Sequence, residues 1–165
     1  METHPRTLAP RILALDVGDK RIGLAITDPL GLTAQPLFTI HRTSLRADLK
    51  AVARFIRQHK VAVVVVGNPL HADGSPSPQS AKALAFADEL RAFTAGTHPE
   101  LTLHLLDERL TTHDAHALLD RSITARGDRK SRLDRSAVID QVAAVLLLEA
   151  YLSAGKPTLL PDPDV

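Results

Sequence analysis

Three carboxylates stand where apolar segments of the chain come to an end. Asp16 lies at the close of RILALDV (11–17), Glu108 follows LTLHLL (101–106) in the string LLDERL, and Asp140 sits in the first turns of an apolar helical stretch beside Ile139, Val142 and Ala143. An ionised carboxylate in such surroundings costs several kcal/mol unless it has a cation, hydrogen-bond donors or solvent. Each also has a simpler structural reading. Asp16 can cap the turn at Gly18, Glu108 can form a surface pair with Arg109 worth at most ~1 kcal/mol, and Asp140 can gain ~0.3–1 kcal/mol from the helix dipole. Gathered in one cleft, the three would repel one another, and a divalent cation is the ordinary way to offset that charge. Oxygen-only ligands suit Mg²⁺ or Mn²⁺, and two such ions ~3.5–4 Å apart activate a water and stabilise the leaving oxygen of a phosphodiester.

Cations lie close by. Lys20 and Arg21 follow Asp16, and Arg109 follows Glu108. The stretch 121–135 carries Arg121, Arg126, Arg129, Lys130, Arg132 and Arg135 against Asp128 and Asp134, a local excess of +4 in a chain of formal net charge +1. Such a run is often only solvated surface, but with Gly127 inside it this one also reads as a basic loop able to fold over a nucleic-acid strand. One Tyr, four Phe and no Trp leave little for base stacking, so contact with phosphate and shape is the expected mode.

Other constellations carry less. His113 and His116 have an i, i+3 spacing that suits zinc, but no third imidazole is fixed by spacing, and the facing of His104 in its strand is open. Ser75, Ser77 and Ser80 lack the glycine elbow of a serine hydrolase and read as loop solvation.

These side chains must be placed by a single domain, which 165 residues suit. Residues 11–17 and 21–27 read as two strands of a hairpin, 34–40 as a third strand, and Leu45, Leu49, Val52 and Ile56 as one face of a helix. VAVVVV (61–66), apolar on both faces, suits an interior parallel strand. GNPLHADGSPSPQS (67–80) is a loop, 79–94 a helix and 101–106 a last strand. Thr111 and Asp114 have capping-box spacing ahead of a short helix through Ala115, Leu118 and Leu119. In the closing helix, 137–152, thirteen of sixteen residues are apolar, so most of its circumference is expected to be buried. The order β-β-β-α-β-α-β-α-α predicts a mixed sheet with helices on its faces. Residues 1–10 and 154–165 are expected to be flexible tails around a domain at 11–153, since the first ten and last ten residues hold five of the eleven prolines.

Hydrophobic residues at 44% and charged residues at 24% exclude wholesale disorder, and the absence of cysteine excludes disulfides, thiolate nucleophiles and Cys-based metal sites. No apolar targeting segment opens the chain, and 137–152 is shorter than the ~20 residues of a membrane span, so the cytoplasm is the expected location.

The strings ILALDVGDKRIGLAITDPLG, VVVVGNPLHADGS, DERLTT and IDQVAAVLLLEAYL resemble, in that order, the signature segments of the YqgF/RuvX family, over nearly all of residues 11–152. The resemblance implies a ribonuclease H-like fold, α/β with a five-stranded mixed sheet whose first three strands are antiparallel. It also implies a metal-dependent nuclease site in which Asp16, Glu108 and Asp140 are catalytic and hold Mg²⁺ or Mn²⁺. Lys20, Arg21, Arg109 and Lys130 match basic positions of the family, and Arg129 and Arg132 join them as expected phosphate contacts. Family members are described both as Holliday junction resolvases and as nucleases maturing the 5′ end of pre-16S rRNA, so branched DNA and precursor rRNA are both expected partners. A resolvase acting on a two-fold junction would be a homodimer.

Three residues qualify the match: Asp19 adds a carboxylate beside the first motif, Asn68 is a polar residue in the GxPL loop, and Asp134 competes with Asp140. Two rival readings stand beside it. One is a nucleic-acid-binding or ribosome-associated module without catalysis. The other is a phosphate-binding lobe like that of the actin-like ATPases, which DVG and Asp28 resemble, although one domain is half of what such enzymes use.

Overall fold

Gly18, Asp19 and Lys20 turn the chain back on itself, with the Gly18 amide donating to the Arg21 carbonyl at 2.9 Å. The turn joins β1 (Arg11–Val17) to β2 (Arg21–Thr27) in antiparallel register, with Leu13 opposite Ile26 and Val17 opposite Ile22. The computed structural model describes residues 8–110, 132–154 and 158–159. β3 (Ala34–His41) pairs antiparallel with β2, and the register shifts between Leu24 and Ala25, where Ala25 faces Pro36. A proline has no amide to give a ladder, and β3 is the edge strand, where this is tolerated.

Ser44 accepts from the Ala47 amide at 3.2 Å and starts α1 (Leu45–Gln58). β4 (Val61–Asn68) then lies parallel between β1 and β5 (Thr102–Asp107), which accounts for its valines on both faces: Val64, Val65 and Val66 are all fully buried. Between them runs α2 (Pro78–Thr94), capped by the Ser77 hydroxyl, with proline at its first position. Ser77 and Ser80 are therefore structural rather than loop-solvating. Ser80 is fully buried, and its hydroxyl donates to Asn68 Oδ1 at 2.5 Å, so the polar residue in the GxPL loop has its partner in α2.

These five strands stand in the order β3-β2-β1-β4-β5, with β1, β4 and β5 parallel; the mixed sheet, its antiparallel first three strands and its interior parallel β4 are as the sequence predicts. Strand alternation gives the sheet two faces. Leu13, Leu15, Leu24, Val64 and Val66 pack with Val52, Ile56, Phe86 and Leu90 of α1 and α2. Ala14, Ala25, Val65 and Leu106 pack with Ala144, Leu147 and Leu148 of α3 (Arg132–Ala154). At ~1.5–3 kcal/mol for each large apolar side chain removed from water, the first cluster is the main source of stability.

Two expectations need correction. The last helix starts at Arg132, not at 137, and runs 23 residues, because neither glycine nor proline interrupts the sequence before Gly155. Its stretch Ser136–Ala154 is long and apolar enough, by length and composition alone, to cross a membrane. Nor is most of its circumference buried. It forms an outer layer on one sheet face, so Ala144, Leu147 and Leu148 are covered while Val138 is 38% and Ile139 41% exposed. In addition, Thr158–Leu159, within the segment expected to be a tail, form a short β6 antiparallel to β5. The capping box at Thr111, the helix through Ala115–Leu119, and His113 and His116 lie outside the described residues.

Candidate active site

Asp16 is on the α3 side of the sheet, since it shares strand parity with Ala14. Its partner across the β1/β2 ladder is Gly23. On its other side Leu15 pairs with Val66, so continuing that register by one residue sets Asp16 beside Gly67. A carboxylate thus stands in the middle strand between two glycines, and each glycine admits something a side chain would exclude. A Cβ on Gly23 would run into the backbone of Asp140, 3.2 Å from its Cα and closer still to its carbonyl. A Cβ on Gly67 would strike the Glu108 carboxylate and lie 3.2 Å from Leu147 Cδ2. Glycine inside a strand often marks such a close approach, and it is the signal by which these two positions could have been singled out from the sequence.

The three acids therefore lie on one face of the sheet, where Asp16 senses charge with both others. Burial raises Asp16 to about 6, helped by the negative charge of Asp140. Burial also raises Glu108 to about 7, with the charges of Asp16 and then Asp107 adding to it. Asp16 is the member that feels, or is felt by, both others. Asp140 has a cation already: Arg21 Nε lies 2.5 Å from its Oδ2, in a half-buried pair. Among the described residues no three acids or imidazoles are drawn close enough to form a finished metal cage. The donor set nevertheless fits a hard divalent cation, because it is all carboxylate and half-buried, and burial together with mutual repulsion holds Asp16 and Glu108 above the ordinary carboxylate range.

Asp107, which the sequence reading passed over, orients Glu108. Its Oδ1 accepts from the Arg109 amide at 3.0 Å, which turns the chain straight from β5 into the 3-10 turn Glu108–Leu110. Arg109 also forks onto Asp107, with Nε 2.9 Å and Nη2 2.5 Å from Oδ2, and donates from Nη1 to the Ala72 carbonyl at 3.3 Å. Gly74, at φ +86°, lies under that guanidinium. Arg109, expected to contact phosphate, is thus the strut joining the DERL segment to the 69–77 loop, with its side chain still 40% exposed.

Arg42 does similar work on the other side. It donates to the buried Asp48 at 2.8 Å and to the Gly18 carbonyl at 2.9 Å, steadying the turn that follows Asp16. Lys20 is exposed on that turn. Asp19 is turned away from the acids and pairs with Lys82 at 2.8 Å. Asp28 accepts the amides of Leu30, Leu32 and Thr33, so its oxygens cap its own turn rather than face a ligand. His104 faces α3, where its Nδ1 lies 2.8 Å from the Tyr151 hydroxyl. Arg129 and Lys130 lie outside the described residues, as do the side chains of Arg132 and Asp134.

A protein of Myxococcus xanthus, 44% identical over 155 residues that cover 93% of each chain, is named "Putative pre-16S rRNA nuclease". A protein of Carboxydothermus hydrogenoformans with the same name is 45% identical, over 87% of this chain and 96% of its own. Among solved structures, Thermus thermophilus RuvC in complex with a Holliday junction substrate superposes with a TM-score of 0.58 at 14% identity, covering 92% of this chain and 100% of RuvC. The Fowlpox virus resolvase bound to Holliday junction DNA gives 0.52 at 16%, covering 87% and 97%. At such identities these two likenesses show the fold, which is ribonuclease H-like. The family model described as "RuvX: Holliday junction resolvase" matches residues 10–154, and the chain belongs to that family.

Proposed function

We propose that this protein is a divalent-metal-dependent endonuclease that hydrolyses phosphodiester bonds in structured nucleic acid. Its substrate is a four-way DNA junction, the 5′ region of precursor 16S rRNA, or both, in line with the names its family and relatives carry. The observation that carries the reading is Asp16 between Gly23 and Gly67, with Asp140 admitted over one glycine and Glu108 over the other. Asp16, Glu108 and Asp140 are the residues that would hold Mg²⁺ or Mn²⁺. When bound, such cations offset the charge of the acids and supply Lewis-acid stabilisation to the reacting phosphodiester.

The chain's own residues do the rest. Asp107 aims Glu108, and Arg42 holds the turn behind Asp16. Arg21 neutralises Asp140 and stands, with Lys20, at the edge where a phosphate would arrive. Arg129, Lys130 and Arg132 are read as a phosphate-binding segment on sequence grounds.

The test compares a four-way DNA junction with a precursor rRNA fragment, each with and without Mn²⁺, using the wild type and Asp16→Asn. Metal-dependent cleavage of either substrate by the wild type alone is expected. Binding without cleavage in every condition would instead identify a non-catalytic nucleic-acid-binding module.

A further inference from the structure

On the sheet face opposite the acids, α1 and the end of α2 enclose an open groove of about 840 Å³. Its lining includes Ala51 and Phe93 together with Lys50, Arg54, Arg57 and His98. Phe93 is 39% exposed, a large ring left against water. The lining includes no carboxylate. The one acid of α1, Asp48, is 2% exposed and turned inward onto Arg42. Arg46, Lys50, Arg54 and Arg57 therefore make every exposed charge on α1 positive, in a chain whose formal net charge is only +1. None of the four ion pairs among the described residues involves any of them.

We infer that this groove binds an unpaired segment of nucleic acid, with the backbone along the cations of α1 and a base against Phe93. The inference rests on the reading that the protein acts on nucleic acid, and it adds a second contact surface to it. A basic groove lined in part by an exposed aromatic ring is the arrangement that holds single strands without reading sequence. Successive cations spaced four and three residues apart on a helix lie ~4.5–6 Å from each other along its axis, so the row follows one strand rather than meeting it at a point. Geometry also favours an unpaired segment over a duplex. The acids and the groove are on opposite faces of the sheet, and a strand that engages both must bend around the domain. A duplex, with a persistence length of ~150 base pairs, resists that bend, whereas a single strand does not.

The test measures a short fluorescein-labelled oligouridylate by anisotropy over a potassium chloride series, without divalent metal, with cleavage assays run in parallel. The proteins are the wild type, the triple variant Lys50→Gln/Arg54→Gln/Arg57→Gln, and Phe93→Ala. All of these positions are exposed, and the variants are expected to melt like the wild type. Neutralising three cations should lower the salt slope by about 2, at ~0.7 per phosphate contact for single strands. Phe93→Ala should weaken binding about tenfold and leave the slope unchanged.

Oligouridylate binding that neither variant alters, while the wild type still cleaves its substrate, overturns the groove and leaves the nuclease reading standing. Tighter binding of a glutamate-rich helical peptide, undisplaced by oligouridylate, overturns it in favour of a protein partner. Absence of both binding and cleavage for every nucleic acid, with Mn²⁺ present, removes the underlying reading as well.

Discussion

Gly67 lies directly under the carboxylate of Glu108, and a methyl group at that position would occupy the same space. Gly67→Ala should therefore push Glu108 away from Asp16. The obstructing atoms belong to a flexible side-chain end and to Leu147, so the stability cost should stay near ~1 kcal/mol while metal-dependent cleavage falls by two orders of magnitude or more. Chemical denaturation and a cleavage assay on the same preparation separate the two effects. Cleavage at the wild-type rate would mean that Glu108 has no part in the reaction.

Gly23 meets backbone rather than side chain. Gly23→Ala must lift α3 from the sheet at Asp140, and overpacking against a rigid element costs ~1–3 kcal/mol or more. The expected result is a lower urea midpoint for Gly23→Ala than for Gly67→Ala. The reverse order would contradict the close approach of Asp140 to β2.

The raised Asp16 and Glu108 carboxyls predict a pH dependence for the metal-free protein. Both bind protons more tightly folded than unfolded, so the stability they contribute is fully present below the ordinary carboxylate range. It is lost as pH rises through about 6 for Asp16 and about 7 for Glu108. Asp16→Asn removes the first share, so the variant should gain on the wild type by ~2–3 kcal/mol between pH ~4 and pH ~8 in urea unfolding. It should also lose all cleavage while still binding nucleic acid. A stability difference that stays flat with pH would place Asp16 in a solvated turn cap instead.

Arg109 braces the loop that carries Gly74. The amides of His71 and Gly74, which close that loop by hydrogen bonds to the Ser75 and His71 carbonyls, should exchange faster in Arg109→Ala, while the β5 amides stay protected. Unchanged exchange at both amides would return Arg109 to a role in phosphate contact alone.

Neutralising Arg129, Lys130 and Arg132 together should weaken binding to all sequences alike and flatten the salt dependence by roughly two to three charges' worth on duplex DNA. A slope identical to the wild type's would make this segment ordinary surface. Sedimentation with and without a four-way junction tests the companion expectation of a symmetric homodimer. A protein that stays monomeric on the junction would favour the rRNA substrate.

The order of strands and helices was legible in the sequence because it rests on local chemistry. Gly18–Lys20 forces a hairpin, the period of Leu45, Leu49, Val52 and Ile56 makes a helix, and valines on both faces of 61–66 require an interior strand. Asp16, Glu108 and Asp140 could be picked out as candidates for a similar local reason, since Asp16 and Asp140 interrupt apolar runs and Glu108 stands just beyond the end of one. What surrounds them could not be read in this way. The contact of Gly23 with Asp140 joins residues 117 positions apart, and that of Gly67 with Glu108 joins residues from two different strand ends, so neither leaves a trace in local periodicity. The bracing contacts of Arg109 were hidden for the same reason: its sequence neighbours suggest a pair with Glu108 or a phosphate contact, but folding brings Asp107 and the Ala72 carbonyl to its guanidinium. The last helix shows the limit most clearly. Its composition calls for burial all round, yet a helix laid on one face of a sheet can bury only a stripe, and the sheet alone decided that Ala144, Leu147 and Leu148 would be that stripe.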